Sequence, residues 1–318
     1  MKIAILDDYG NDALRLADWS GLGEIDVFQD TITGQDALVE RLAAYDVLCV
    51  MRERTPLPGA LLERLPRLKL IVTSGARNLS IDLDTAARQG ITVCGTELRK
   101  TTTAELTLGL ILASQRRIVV ESNHLRNGQW QQGLGRDLAG LTLGIVGLGK
   151  VGQQVSALAK AFGMSVLAWS QNLTQALCDE HDVELAPSLE DLLKVSDIVS
   201  IHVVLSPRSQ GLIGREALSL MQPTACLVNT SRGQIVDTQA LVDALRSQTL
   251  GAAAIDVFDQ EPLPADDPLR DHELIDSGRL LLTPHLGYTS EQTFRLFYQQ
   301  MVEDIHAWQQ GEPIRQLG

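Results

Sequence analysis

An α/β chain of two doubly wound, parallel-sheet domains is expected from these 318 residues. Three observations carry the expectation. Short, near-continuous apolar runs alternate with longer segments of helical period, the pattern of strands buried on both faces of a parallel sheet. The alternation runs through roughly the first hundred residues, stops, and then starts again. A G-x-G-x-x-G signature falls directly after the first strand candidate of the second series.

The strand candidates of the first series are KIAIL (2–6), DVLCV (46–50), LKLIVT (68–73) and ITVCG (91–95). Amphipathic stretches such as QDALVERLAAY separate them. Residues 101–125, TTTAELTLGLILASQRRIVVESNHL, are rich in helix formers and predict one long helix bridging two domains. The second series is TLGIVG (142–147), SVLAWS (165–170), DIVSIHV (197–203), ACLVNT (225–230), AAAIDVF (252–258) and LLLTPH (280–285). Six strands with helical intervals are the count of a doubly wound dinucleotide-binding sheet. After residue 288, TSEQTFRLFYQQMVEDIHAWQQG has helical spacing and a glycine stop. It is expected to run back toward the first domain.

A net charge of −13 argues against nucleic acid or an anionic membrane surface as partner. Cys49, Cys94, Cys178 and Cys226 show no paired spacing, so neither disulfides nor a metal site is expected. The N-terminus reads as a strand and turn rather than a secretory leader, and no apolar run approaches the length of a membrane span. A cytoplasmic protein is the expectation.

In the glycine signature each position answers a separate demand. Gly147 allows a tight strand-to-helix turn, Gly149 lets a pyrophosphate approach the backbone, and Gly152 permits close helix–strand packing. Lys150 and Val151 open the helix, whose N-terminus offers free N–H groups and partial positive charge to phosphates. The acid that usually accepts the ribose 2′-hydroxyl is missing, because the second strand is followed by Ser170, Gln171 and Asn172. A carboxylate there would repel a 2′-phosphate by roughly 4 kcal/mol per charge pair near a protein surface. Its absence therefore admits NADP, yet no Arg or Lys occurs from residue 161 to 193. NAD and NADP both stay open, with a lean toward NADP being accepted.

Three later strands end in ionisable residues that fit one reaction: Arg232 in LVNTSRGQIVD, Glu261 in AIDVFDQEP and His285 in LLTPHLGY. Carboxyl ends of parallel strands share one edge of the sheet, where ligands bind. Arg grips a carboxylate bidentately, and His exchanges a proton near neutral pH beside a carboxylate partner. With a nicotinamide, these are the parts for moving a hydride and a proton between a 2-hydroxy and a 2-oxo acid.

The same segments make the chain resemble the D-isomer-specific 2-hydroxyacid dehydrogenase family. The matching stretches are NGQWQQGLGRDLAGLTLGIVGLGKVG, LIGREALSLMQPTACLVNTSRGQIVDTQALVDAL, GAAAIDVFDQEPLPADDPL and LLTPHLGYTS, with a weaker match in VMRERTPL and SIDLDTAARQGITV. The resemblance implies a Rossmann cofactor domain, 99–289, inserted in a flavodoxin-like substrate domain made of 1–98 and 290–318. It implies an NAD(P)-dependent oxidoreductase acting on a small 2-oxo or 2-hydroxy acid. In that frame Arg232 binds the substrate carboxylate, His285 is the acid/base and Glu261 is its partner. Asp256 falls where the family contacts the nicotinamide carboxamide, and Thr102, Thr230 and Ser231 lie beside the cofactor. A homodimer through the cofactor domain is implied too, with Trp130 near the partner's cleft.

Two departures bear on specificity. The family's first-domain substrate loop commonly carries a second glycine, where TSGARNLSID keeps Gly75 but has Arg77. Main-chain N–H groups of Ala76 and Arg77 remain able to hold a carboxylate, and Arg77 or Arg52 would favour a further anionic group such as a phosphate; the alternative is a solvent-facing Arg77. The second departure is Ser170 followed by Gln171 where NADP users have a basic residue, and Arg208 in SPRS offers a substitute cation. A paired Glu261 rather than Gln argues against formate oxidation. An NAD(H)-sensing regulatory protein of the same fold is the alternative function.

Overall fold

The computed structural model describes residues 1–99 and 101–318. The chain divides into two compact units, one of Met1–Arg99 with Thr289–Gly318 and one of Lys100–Tyr288. Among the described residues, the first unit holds a five-stranded sheet of β1 (Lys2–Ile5), β2 (Glu24–Val27), β3 (Val47–Val50), β4 (Leu70–Thr73) and β5 (Thr92–Gly95). Their order is β2-β1-β3-β4-β5 and every pairing is parallel, the flavodoxin-like arrangement.

The central strands VLCV and LIVT are buried at every residue, as a sheet covered on both faces requires. The edge strand EIDV is half polar and half exposed, and its composition hides it from the sequence pattern. On one face Leu48, Val50, Ile71 and Val93 pack with Leu38, Leu42, Leu61 and Leu62 of the covering helices. The helix Glu291–Gln309 belongs to this unit and buries Phe294, Phe297, Tyr298, Met301 and Ile305.

The second unit contains a seven-stranded sheet among the described residues: β6 (Thr142–Val146), β7 (Ser165–Trp169), β8 (Glu184–Leu185), β9 (Ile198–Ile201), β10 (Cys226–Asn229), β11 (Ala252–Ile255) and β12 (Leu280–Leu282). The order β12-β11-β10-β9-β6-β7-β8 is the Rossmann arrangement with one strand more at the β12 edge than its usual six. Alternation along each strand feeds two separate cores. In β10, Leu227 joins one cluster while Cys226 and Val228 join the other; in β11, Ala253 and Ile255 oppose Ala254. β8, the one strand of this sheet absent from the expected series, is two residues long, too short to leave a periodic trace.

The expected single bridging helix is two helices, Thr102–Gln115 and Ile118–Arg126. Arg117 between them takes a left-handed conformation at φ 55° with no glycine or proline to force it. The cause is tertiary: Arg136 N–H donates to the Gln115 carbonyl at 2.8 Å, and Gly135 sits so close that a Cβ would lie 2.7 Å from that oxygen. All four cysteines are free and buried. No helix among the described residues is long and apolar enough to cross a membrane.

Candidate active site

One row of the sheet register organises the second unit. Trp169 pairs with Val146, Val146 with Ile201, Ile201 with Asn229, Asn229 with Ile255, and Ile255 with Leu282. Every loop that leaves this row points off the same carboxyl edge. The order along it places the Ser170–Asn172 loop, the glycine turn, the His202–Ser209 loop, Arg232, Glu261 and His285 side by side.

The turn after β6 is shaped by absent side chains. Gly147 has φ 105°, and a Cβ on it would lie 2.8 Å from Val203 N. A Cβ on Gly152 would fall 2.2 Å from the Gly147 carbonyl oxygen, so the helix Lys150–Ala161 rests directly on the turn. Gly149 caps that helix and has no atom within 4 Å of where its Cβ would be. Open space over a helix N-terminus is what a diphosphate needs. Lys150 is exposed and Val151 packs on the core behind.

Beside this turn lies a cavity of about 390 Å³. Gly147 and Gly149, Ser170, Gln171, Asn172 and Arg208 line it. His202, which the sequence reading passed over, lines it too. Its Nε2 is 2.9 Å from Ser200 Oγ, and burial lowers its pKa to about 4, so the ring is neutral at physiological pH.

At the other end of the row, His285 Nδ1 and Glu261 Oε2 are 2.5 Å apart. Glu261 Oε1 accepts the Phe258 N–H at 3.0 Å, which fixes the carboxylate against its own loop. The imidazole also meets Tyr288 edge-on, with centroids 5.2 Å apart. His285 has φ 53°, an unusual left-handed position for a non-glycine residue. Asp256 holds it there: its carboxylate accepts from Thr283 Oγ1, Leu286 N–H and Gly287 N–H at 2.6, 2.7 and 2.8 Å. Asp256 is fully buried, which raises its pKa, and both of its oxygens serve the loop that carries His285. Arg232 follows β10, with Nη1 donating to the Ser231 carbonyl at 2.7 Å. Asn229 shapes this turn by accepting the Ser231 N–H and donating to the Arg232 carbonyl. Thr230 is joined to Thr107 at 2.9 Å, Ser231 Oγ donates to the Val203 carbonyl, and Thr102 is buried at the start of its helix.

The family model for the D-isomer specific 2-hydroxyacid dehydrogenase, NAD binding domain, matches residues 108–287. A glyoxylate reductase of Korarchaeum cryptofilum is 36% identical over 91% of this chain and 87% of its own length. The chain belongs to the D-isomer specific 2-hydroxyacid dehydrogenase family. A D-3-phosphoglycerate dehydrogenase of Methanocaldococcus jannaschii is 34% identical over 98% of this chain, which spans 58% of that protein's length. A crystal structure of D-lactate dehydrogenase from Aquifex aeolicus with NAD and lactic acid superposes with TM-score 0.78 at 27% identity, covering 98% of this chain and 96% of that one.

The first unit of this dehydrogenase holds the remaining candidates. Arg52 is left-handed at φ 53°, its N–H donates to Ser74 Oγ at 2.8 Å, and its guanidinium lies over Gly75. A Cβ on Gly75 would be 2.1 Å from Arg52 Nη1, so any other residue would displace that guanidinium, and the φ of 92° favours glycine. The Gly75 N–H is taken by Thr96 Oγ1 at 2.8 Å, whereas Ala76 and Arg77 are exposed. Buried Asn78 ties the arrangement together by donating to the Arg52 carbonyl and to Thr73 Oγ1. That brace was not apparent from the sequence, where Asn78 stood only as the neighbour of Arg77.

Proposed function

We propose that the chain interconverts small 2-oxo acids and D-2-hydroxy acids with a nicotinamide dinucleotide at the carboxyl edge of the seven-stranded sheet. The observation that carries it is the single register row bearing the glycine turn, Arg232 and the hydrogen-bonded Glu261–His285 pair. The residues present fit the dinucleotide: the open space at Gly149, the helix it caps and the neighbouring cavity provide for diphosphate and adenosine in turn. When bound, the nicotinamide supplies or accepts the hydride.

The chain's own groups do the rest. Arg232 grips the substrate carboxylate and orients the carbonyl. With Nδ1 held by Glu261, His285 presents Nε2 to the substrate oxygen and donates the proton during reduction. The Glu261 carboxylate balances the ring's positive charge while it carries both protons. Within the first unit, Arg52 and the N–H groups of Ala76 and Arg77 are the candidates for holding an anionic group, beside Gly75. The lactic acid bound in the Aquifex enzyme and the glyoxylate reductase name of the Korarchaeum relative favour short substrates. Arg52 and Arg77 keep a phosphorylated acid within the candidate set.

NAD is supported by the family model's description. The absence of any acid in Ser170–Asn172 extends the assignment to NADP. Pairing of two chains through the second unit is assigned from the exposed Trp130 and Leu134, 78% and 85% accessible, which with Leu125 line one surface depression. Trp130→Asp with Leu134→Asp is expected to sediment as a monomer where the parent sediments as a dimer.

The deciding experiment is a panel of glyoxylate, pyruvate, hydroxypyruvate and 3-phosphohydroxypyruvate, each with NADH and with NADPH. Turnover of at least one acid to its D-hydroxy product is expected. Cofactor binding without turnover of any acid would instead support an NAD(H)-sensing regulatory protein.

A further inference from the structure

We infer that Arg208 is a cofactor-selecting residue, which binds the ribose 2′-phosphate of NADP from the loop after β9. The inference rests on reading the cavity beside the glycine turn as the adenosine end of the dinucleotide site. β9 and β7 flank β6 in the sheet, so the Arg208 loop and the Ser170–Asn172 loop border the glycine turn from its two sides. Both line the same cavity.

Among the described residues, the cavity carries no acidic side chain. The chain carries 40 acidic against 27 basic residues, yet no Asp or Glu is among the residues lining the cavity. His202 is held neutral by burial, which leaves Arg208 as the formal charge among the described lining residues. A lone cation with no acid beside it favours an anionic group, and a 2′-phosphate supplies one at the ribose where a 2′-hydroxyl does not. An acidic residue at the end of β7 would be the neighbour expected for NAD, and Ser170 stands there instead.

Arg208 is also uncommitted in a way that Arg215 and Arg246 of this unit are not. Arg215 is 2.7 Å from Asp243, and Arg246 is 2.7 Å from Asp271. Among the described residues no hydrogen bond or ion pair to Arg208 is found. Its loop is nonetheless fixed. Buried Ser209 donates to the Val204 carbonyl at 2.7 Å and accepts the Ser206 N–H at 2.8 Å, tying the loop to itself on either side of Pro207 and Arg208. The guanidinium thus projects from a stapled loop, and its planar fork matches a phosphate bidentately. Ser170, Gln171 and Ser206 supply neutral hydrogen bonds around it.

The test is binding, free of turnover. Titration calorimetry would compare NADPH with NADH, and adenosine 2′,5′-bisphosphate with AMP, on the parent, Arg208→Ala and Arg208→Lys. Arg208→Ala should weaken NADPH and the bisphosphate by about tenfold to a hundredfold, the range for a charged hydrogen bond, and leave NADH and AMP within about twofold. Arg208→Lys should recover part of the loss, since it keeps the charge without the fork. The parent's NADPH affinity should also fall more steeply with salt than its NADH affinity. Equal loss for both cofactors, or no loss for either, overturns the assignment. So does a parent that binds NADH but not NADPH, in which case the dinucleotide site itself stands. Binding of neither cofactor would overturn the dinucleotide reading as well.

Discussion

Asp256 and Asp304 are both fully buried carboxylates, one in each unit, and they are held in contrasting ways. Asp256 accepts three hydrogen bonds, two from main-chain N–H groups and one from Thr283. Asp304 accepts from Arg315 Nε at 2.9 Å through one oxygen, while its other oxygen has no partner. Burial raises the pKa of both, and the one with a single ion pair is pushed up to about 7. Three donors converging on one carboxylate define the shape of the segment that supplies them. They hold residues 283–287 in a turn that puts His285 at φ 53°. One ion pair pins a tail but leaves its carboxylate titratable. The first arrangement is a template for the loop that carries His285, and the second is a pH-sensitive fastening.

The contrast can be broken first at the group the template serves. His285→Ala is expected to lower turnover by about 10²- to 10⁴-fold, the usual worth of a positioned acid/base, while cofactor affinity stays within about twofold. Steady-state rates beside calorimetric binding would check both halves. Asp256→Asn comes next. Asn offers one acceptor oxygen and an NH₂ to a site with three donors, so at least one buried donor is left unmatched, at about 1–3 kcal/mol. The melting temperature should fall, and turnover should fall by roughly tenfold to a hundredfold through displacement of His285. The two effects separate in the double variant: on a His285→Ala background, Asp256→Asn should still cost stability but no further turnover. A further loss of rate there would mean that Asp256 acts on the reaction by another route.

The sequence exposed the parts of this site that chemistry demands by residue type. Gly147 and Gly152 stand out because a Cβ on either would collide with backbone, Gly149 because its spacing completes the signature between them, and Arg232, Glu261 and His285 because they end successive strands. The central strands were legible for a related reason, being apolar at nearly every position. What escaped was set by partners distant in the chain. Asp256 is bonded to residues 27 to 31 positions away, and nothing in AIDVF announces them. The break at Arg117 depends on the loop that captures the Gln115 carbonyl, so QRRIVV reads as continuous helix. The edge strands β2 and β8 lack the continuous apolar run of the central strands: β2 alternates polar and apolar over only four residues, and β8 has two. Both of these strands lie at sheet edges, away from the row that carries the proposed site.

The smallest effect expected is the pH dependence that Asp304 gives the fold. Its value in the native state, about 7, lies above the usual aspartate value of 3.8. The native state therefore binds this proton more tightly than the unfolded state across the interval. The contribution is fully present below about pH 4 and is lost as the pH rises through about 7. Arg315, Glu303 immediately before it in the same helix and the buried thiols of Cys49 and Cys94 are the ionisable groups around it. Asp304→Asn removes the titration while Arg315 keeps its contact with Glu303 at 2.8 Å. Urea unfolding of the parent and this variant from about pH 5 to pH 8 would isolate the difference, because other carboxylates and the histidines are common to both. The parent should lose stability relative to Asp304→Asn as the pH rises, with turnover on the preferred acid unchanged. A constant difference across that range would show that Arg315 keeps Asp304 ionised throughout, and the two buried carboxylates would then differ only in what they hold.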